Sequence, residues 1–547
     1  MESAAPRFTA WLDDVLTLYF RREPVSATFI GRHEHDSRLP DLSEQGLDEA
    51  LIETREQLRR LAELPEEQLT EPERLDRDLT QGMLEIRAWE YEGGHMWRGN
   101  PSLALGEAVF GVISLLLRPF APWPQREDAV IARLESVPTL LEATRARIDR
   151  APSAWIARAV RECDGALALF GPGLDRFAAD HGLAGGHVRQ AAVRACTAIA
   201  EFQGYLRGEL SEGGVYGCGE EALSLLLRRG HWLTEDADGI LAFAEDQART
   251  QLAYLDVHAG DFGARTRQEA LGQLRRLHPT VEQYLSRFAR IWTESREAAL
   301  AADLVTWPEY PIRYVQQPAW AREAAANLYF LFYRAPAAFD RLLPVEYLAP
   351  PIDLEVPPAE RTGRLEATND SVIKLNHVIH HGGLGHHVQN YYAYRAASRI
   401  GQIAGVDCAS RIALFCGGTM TEGWACYAAE LMAEAGFLTP LEQYAERHSK
   451  LRMAVRAIVD IRLHRGEYNL EAAATRYRDQ AGMSQGAAMA EAVKNSMFPG
   501  TALMYLMGTE QIWRLRRDLQ ARQAGTFSLR RFHDQLLSYG SVPVARV

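Results

Sequence analysis

The amino-acid sequence predicts a large, mainly α-helical protein with little β structure. Three observations support this prediction. Nearly every long segment repeats its apolar residues with helical period, strand-like alternation is rare, and 547 residues are enough to bury a large core. The apolar fraction of 47% and the charged fraction of 24% are those of an ordinary soluble globular protein, which fits this fold class.

The predicted elements alternate with breaks that contain proline or glycine. Amphipathic helices with helical spacing of their apolar and charged residues are predicted at 47–64, 129–148, 188–210 and 234–255. Breaks at 118–124 and 213–214 separate these helices, because proline and glycine interrupt helical runs. One strand is predicted at 310–315, where strand-like alternation is clearest.

The clearest interruption along the chain is the proline-rich stretch 349–358. We expect two lobes around a central cleft: an N-terminal helical lobe at 1–300 and a C-terminal helical lobe at 301–547 that carries the functional site. The helix predicted after the proline-rich stretch starts near Asp370 and Ser371, which are good N-caps.

The charge balance restricts the partners of the chain. A formal net charge of −12 argues against nucleic-acid binding, which depends on clustered lysine and arginine. The first residues show no basic region followed by an apolar run, and the most apolar segment, 108–117, is too short to span a bilayer. We therefore predict a cytoplasmic protein with a small-molecule or peptide substrate and no membrane partner. A homodimer is one option for its assembly.

The most informative feature is a cluster of five histidines within eleven positions: His377, His380, His381, His386 and His387. Imidazole is the commonest protein ligand of divalent transition metals, and a carboxylate is a usual partner. Such a carboxylate follows in the segment 422–424, Glu-Gly-Trp, within a predicted helix at 419–433. The cluster therefore predicts a metal site.

Helix geometry leaves two ligand sets open. In an unbroken helix, His380 and His386 would be about 240° apart around the axis, so they can share one ion only if the chain breaks or bulges at the glycines of 382–385. The rival set is His377 and His381, at positions i and i+4 of an intact helix. Spacing alone does not rank these two sets.

The chain resembles the bacterial domain-of-unknown-function family 885, whose members have a metallopeptidase-like helical fold. The family pattern His-Glu-x-x-Pro-Gly-His-His-Leu-Gln is matched by residues 380–389, and Glu-Gly-Trp-Ala-Leu-Tyr-Ala by residues 422–428. Further resemblance runs along nearly the whole chain, at 27–33, 100–101, 133–138, 459–464, 498–500, 505–508 and 540–543.

The resemblance implies roles for particular residues. His380, His386 and Glu422 become the leading metal ligands, with zinc as the expected metal and iron as the alternative, and His387 becomes an alternative ligand. Tyr505 is a candidate donor to a developing oxyanion, or a tyrosine packed between methionines. His464, one turn after Asp460, is a candidate for orienting a ligand imidazole, although we favour a buried structural pair.

The chain departs from the family pattern where the general base is expected, because the family's glutamate is replaced by His381. Three functions follow. The first is a metal-dependent hydrolase acting on a peptide, amide or related small substrate, with His381 as the base. The second is a non-hydrolytic metalloenzyme of specialised metabolism that uses zinc or non-haem iron. The third is a catalytically silent relative that binds a ligand.

Overall fold

The computed structural model describes residues 4–67, 69–184, 186–328, 337–340, 342–352, 356–405 and 417–547, and these ranges are mainly α-helical. The fold class predicted from the sequence is confirmed. The α-helices are α1 (Ala4–Arg22), α2 (Pro24–Ile30), α3 (Glu44–Ala62), α4 (Glu71–Glu92), α5 (Pro101–Leu116), α6 (Trp123–Arg147), α7 (Ser153–Ala168), α8 (Leu174–Asp180), α9 (Gly186–Gly208), α10 (Glu220–Leu225), α11 (Ala237–His258), α12 (Arg267–Gly272), α13 (Tyr284–Ala301), α14 (Ala319–Ala325), α15 (Pro358–Ala367), α16 (Asp370–Val372), α17 (His386–Ala393), α18 (Arg399–Ile403), α19 (Gly418–Glu434), α20 (Pro440–His464), α21 (Leu470–Ala481), α22 (Gln485–Met497), α23 (Met504–Gln523) and α24 (Leu529–Ser538).

Shorter elements connect or extend these helices. The π-helical segments are Leu169–Gly173, Leu226–Gly230 and Ile373–Gly382, and the 3₁₀ turns are Ala259–Phe262, Gln273–Arg276, Ala524–Thr526 and Val544–Arg546. Two small parallel sheets pair β1 (Arg150–Ala151) with β2 (Ser211–Glu212), and β3 (Ile312–Gln316) with β4 (Val345–Ala349). Within the described ranges, no helix combines the length and the apolar character needed to cross a membrane.

The four helices predicted from periodicity are α3, α6, α9 and α11, and the predicted strand is β3. The helix α6 starts earlier than predicted because Pro124 lies in its first turn, where a residue without an N–H costs no hydrogen bond. Side-chain caps define other starts. Thr70 and Glu73 form a capping box at α4, and Asn369 caps α16 by accepting from two backbone N–H groups.

The apolar core crosses the predicted lobe boundary at 300. One buried cluster includes residues from Phe8 in α1 to Val544 near the C-terminus. A second cluster joins α11 to α20, so helices from the two halves of the sequence pack on each other there as well. The division into lobes at 1–300 and 301–547 around a central cleft stays a prediction.

Candidate metal centre

The histidine segment consists of a π-helix, a glycine break and a new α-helix. The π-helix Ile373–Gly382 carries His380 and His381, and α17 starts at His386. The intervening Gly385 lies so close to the preceding turn that a Cβ atom there would overlap the backbone carbonyl oxygen of His380. The break required to bring the two histidine groups together is therefore present, and glycine is needed for the close backbone approach.

Two imidazoles from opposite sides of this break converge on one carboxylate. The Nε2 atom of His380 lies 3.3 Å from Oε2 of Glu422, and the Nε2 atom of His386 lies 3.5 Å from the same oxygen. The two rings are 4.8 Å apart, centroid to centroid. The structure thus brings together His380, His386 and Glu422, the three leading ligands expected from the sequence.

These separations suit a shared cation. Two ligand atoms that each lie about 2.1 Å from a tetrahedral zinc ion are about 3.4 Å from each other. Oε2 of Glu422 is also buried without a hydrogen-bond partner among the described residues. A buried polar atom of this kind normally has a partner, so the donor set fits a divalent metal ion.

A third imidazole lies beside this set. One ligand atom from each of His380, His381 and His386 lies within 4.8 Å of the other two. Nδ1 of His381 is 2.8 Å from the backbone carbonyl oxygen of Asn376. Because a carbonyl can only accept, Nδ1 carries the proton in a neutral His381 ring, and the lone pair lies on Nε2. His381 is thus oriented as a base or as a further ligand.

Burial and mutual proximity set the protonation states of the group. Burial alone would raise the pKa of Glu422, but the rings of His386 and His380 hold it well below its usual range. Burial, followed by the nearby rings of His380 and His386, lowers the pKa of His381 well below its usual value. An ionised carboxylate is the state in which Glu422 would bind a metal ion.

The Glu-Gly-Trp motif on α19 positions the carboxylate by two different contacts. The indole N–H of Trp424 donates to the carbonyl oxygen of Leu384, inside the glycine break, at 2.8 Å. Gly423 lies against Gly508 of α23, where a Cβ atom on either residue would meet the backbone of the other helix. Glycine therefore lets α19 and α23 approach closely, and Trp424 holds the histidine break against Glu422.

The other two predicted histidine ligands lie apart from the group. Nδ1 of His377 is 2.5 Å from the hydroxyl of Tyr347, and its ring packs near Phe288 in an aromatic core. Nε2 of His387 donates to the backbone carbonyl oxygen of Tyr310 at 2.7 Å, and the two rings are stacked. The structure does not bring either residue to Glu422, because both face the packing around β3 and β4.

His464 is likewise placed in the core. Its Nε2 atom donates to the carbonyl oxygen of Asn495 at 2.9 Å, and its Nδ1 atom accepts from the N–H of Cys218. The carboxylate of Asp460 accepts from the backbone N–H groups of the segment 500–503, directly before α23. Asp460 therefore orients a backbone segment, and His464 bonds to backbone groups of Asn495 and Cys218.

The candidate metal centre opens into a cavity of about 1070 Å³. Its wall includes the metal-centre residues and Tyr505, the predicted oxyanion donor, together with Arg456 of α20. The guanidinium carbon of Arg456 lies 5.1 Å from the centroid of the Tyr505 ring. Tyr505 is therefore on the surface of the cavity, beside a cation, rather than enclosed among methionines.

Sequence reasoning missed the cavity residues on α20, above all Arg452 and Arg456. Their i and i+4 spacing places them on one face of a helix, but such arginine pairs are common on exposed helices. Only the packing of α20 against α11, α19 and α23 turns this face towards the cavity that the candidate metal centre also lines.

Comparison with known proteins supports a family and a fold. Residues 24–547 match the profile of a family described as bacterial protein of unknown function (DUF885). A "putative lipoprotein of unknown function" from Shewanella oneidensis has the same fold, with a TM-score of 0.76 and 22% identity over 100% of this chain and 99% of that chain. A "putative lipoprotein" from Colwellia psychrerythraea has a TM-score of 0.78 and 17% identity over 100% and 98%. No curated protein matches the chain.

The predicted cytoplasmic location is wrong. The two solved proteins named above are each described as a "putative lipoprotein", which points away from the cytoplasm. The prediction rested on the absence of a basic and apolar leader near residue 1, and a helical core of this kind carries no information about the compartment.

Proposed function

The chain belongs to the bacterial family of unknown function DUF885, and from this premise we propose that it is a metallopeptidase-like, zinc-dependent hydrolase. Its substrate is a peptide, an amide or a related small molecule. The observation that carries the proposal is the spacing of 3.3 and 3.5 Å between Oε2 of Glu422 and the Nε2 atoms of His380 and His386. This spacing is that of ligand atoms around one tetrahedral ion.

When bound by His380, His386 and Glu422, zinc would polarise the scissile carbonyl and make water more acidic. The other side chains handle protons and charge. His381 takes a proton from the attacking water at Nε2 and returns it to the leaving nitrogen as the C–N bond breaks. Tyr505 donates a hydrogen bond to the oxygen that gains negative charge.

The metal assignment is tested by elemental analysis of protein purified without chelator. We expect about one zinc per chain in the wild type and a large loss in Glu422→Gln, because the amide removes the anionic ligand. Glu446→Gln is the matched control: Glu446 is another buried carboxylate on the cavity wall, outside the ligand group. The proposal is contradicted if the wild type holds no metal and its melting temperature does not rise with added Zn²⁺ or Fe²⁺. That result would favour a catalytically silent relative that binds a ligand.

The role of His381 is tested on a peptide library by mass spectrometry. His381→Ala should keep its zinc and lose about 10²–10⁴-fold in hydrolysis, the usual contribution of a positioned acid–base group. Loss of the metal in this variant would instead make His381 a ligand.

A non-hydrolytic metalloenzyme is the second candidate. The observation that favours it is the third imidazole, since His381 brings a further nitrogen to within 4.8 Å of His380 and His386. A nitrogen-rich set beside a carboxylate also suits non-haem iron. Peptide hydrolysis that appears only in His381→Glu, together with iron in the wild type, would support this candidate over the first.

A further inference from the structure

One end of the cavity carries an excess of positive charge. Among the basic residues on the cavity wall, Lys450 pairs with Glu430 at 2.8 Å, Arg517 with Glu510 at 3.0 Å and Arg456 with Glu491 at 2.6 Å. Arg452 also lines the wall, and within the described ranges no carboxylate lies within 4.0 Å of its guanidinium group. Arg452 therefore differs from Lys450, Arg456 and Arg517, each of which forms a close ion pair.

The surroundings of Arg452 add to this excess. Arg456 and Lys494 lie near the same carboxylate, Glu491, as Arg452 does. Burial alone would raise the pKa of Glu491, but Arg456, Lys494 and Arg452 lower it to about 2. Three cations therefore surround one carboxylate. Glu446, six residues before Arg452 on α20, faces Lys450 and Glu430 instead and does not balance this charge.

The charged end also lies beside the metal centre. The guanidinium carbon of Arg456 lies 5.1 Å from the ring centroid of Tyr505. Tyr505 is the residue that we propose as hydrogen-bond donor to the oxyanion. Arg456 and His380 line the same cavity. The wall formed by α20 and the proposed metal centre therefore border the same cavity.

We propose that Arg452, with Arg456 beside it, binds a carboxylate of the substrate, so that the enzyme acts on amides of acidic character such as peptides with a free C-terminus or N-acyl amino acids. The inference rests on the proposed function, because the metal centre defines where the amide lies. A guanidinium group presents two N–H donors to one carboxylate, and such bidentate pairs are among the strongest hydrogen-bonded contacts. The ion pair of Arg456 with Glu491 keeps Arg456 in place, while Arg452 remains available to the ligand.

The test uses two metal-binding probes that differ by one charge: succinic acid monohydroxamate, which carries a free carboxylate, and butyrohydroxamate, which carries none. Binding of each probe to the zinc-loaded full chain is measured by calorimetry. We expect the wild type to bind the carboxylate probe about ten- to a hundredfold more tightly, as for a charge-assisted hydrogen bond. In Arg452→Met, the ratio of the dissociation constants of the two probes should fall to near one. The affinity for butyrohydroxamate should stay within about twofold of the wild-type value.

Arg517→Met is the matched control, because Arg517 lies on the same wall but is paired with Glu510; its ratio should stay that of the wild type. Equal binding of the two probes by the wild type, or an unchanged ratio in Arg452→Met, would overturn the inference while leaving the metal centre intact. Failure of both probes to bind zinc-loaded protein would count against the proposed function itself. A preference for a phosphonate-bearing hydroxamate over the carboxylate probe would overturn the assignment of a carboxylate.

Discussion

At the scale of single residues, the site depends on a few buried polar groups that hold backbone segments. Asp460 is the clearest case, since its carboxylate accepts hydrogen bonds of 3.0, 2.8 and 3.0 Å from the N–H groups of Gly500, Ala502 and Leu503. These residues lead directly into α23, which carries Tyr505. Asp460 is therefore a positioning residue for the cavity wall, and its three backbone partners lie outside the group of His380, His386 and Glu422.

Replacing Asp460 by alanine should be strongly destabilising. Three buried N–H groups would lose their acceptor, at a cost of at least about 3 kcal/mol in the free energy of unfolding, measured by urea denaturation. Asp479→Ala is the control, because Asp479 is exposed and pairs with its neighbour Arg478; it should change stability by less than about 0.5 kcal/mol. Similar stabilities of the two variants would show that the carboxylate does not hold the segment before α23.

At the scale of elements, the decisive feature is the interrupted helix between Ile373 and Ala393. A continuous helix would direct His380 and His386 to different faces, whereas the π-helix and the glycine break direct both towards α19. The contact between Trp424 and Leu384 then ties α19 to the break. The ligand set is thus a property of three packed elements rather than of one helix.

A single methyl group in the break should disturb both stability and metal binding. Gly385→Ala places a Cβ atom against the His380 carbonyl, so the two ligating turns must move apart. We expect a loss of about 1–3 kcal/mol in stability, as for an overpacked core. We also expect the zinc affinity to fall by about tenfold or more, as for mutations that disturb ligand orientation. Thermal unfolding and competitive zinc titration measure these effects.

Gly363→Ala is the matched control for this variant. Gly363 lies inside α15 with no other part of the protein within 4 Å of an added Cβ atom. Alanine should therefore stabilise the helix there by up to about 1 kcal/mol and leave zinc binding unchanged. Zinc binding by Gly385→Ala that equals that of Gly363→Ala would contradict the role of the break.

At the scale of the whole molecule, distant parts of the chain are joined through buried polar contacts as well as through the apolar core. His33 lies between two carboxylates, with Nδ1 at 2.8 Å from Asp36 and Nε2 at 2.7 Å from Asp340. Burial alone would lower the pKa of His33, but the hydrogen bonds to Asp340 and Asp36 raise it to about 9. The charged ring therefore connects the segment after α2 to a residue about 300 positions later.

The stability of the protein should fall as the pH rises from about 6.5 to 9. A histidine whose pKa is higher in the folded state binds its proton more tightly there, so its contribution is complete below the unfolded pKa of about 6.5. This contribution to the free energy of unfolding is at most about 3 kcal/mol, and it is lost as the pH rises past the pKa of His33 in the folded state. Denaturant unfolding between pH 6 and 10 measures it.

His33→Gln should remove most of this pH dependence. The control is His258→Gln, since His258 is exposed on the surface and pairs with the nearby Asp261. A pH dependence that is the same in wild type, His33→Gln and His258→Gln would show that the contact between His33 and Asp340 contributes nothing measurable to folding.

Much of this architecture follows from local sequence. The spacing of apolar residues predicted α3, α6, α9 and α11, because burying one face of a helix requires that period. The need for a break at 382–385 followed from helix geometry alone. His377 is different: its spacing from His381 suits a metal, and only the aromatic packing around Tyr347 removes it from the group.

Local patterns along the chain predict that it is helical, that glycines interrupt the histidine segment, and that an acidic residue on a later helix is available to the histidines. Tertiary structure alone decided which imidazoles meet Glu422 and which cations face the cavity. The period of the apolar residues indicates only which face of a helix is buried. Which side chains meet at one site depends instead on contacts between elements that are far apart in the chain. The hydrogen bond of Trp424 with Leu384 and the close approach of Gly423 to Gly508 are such contacts.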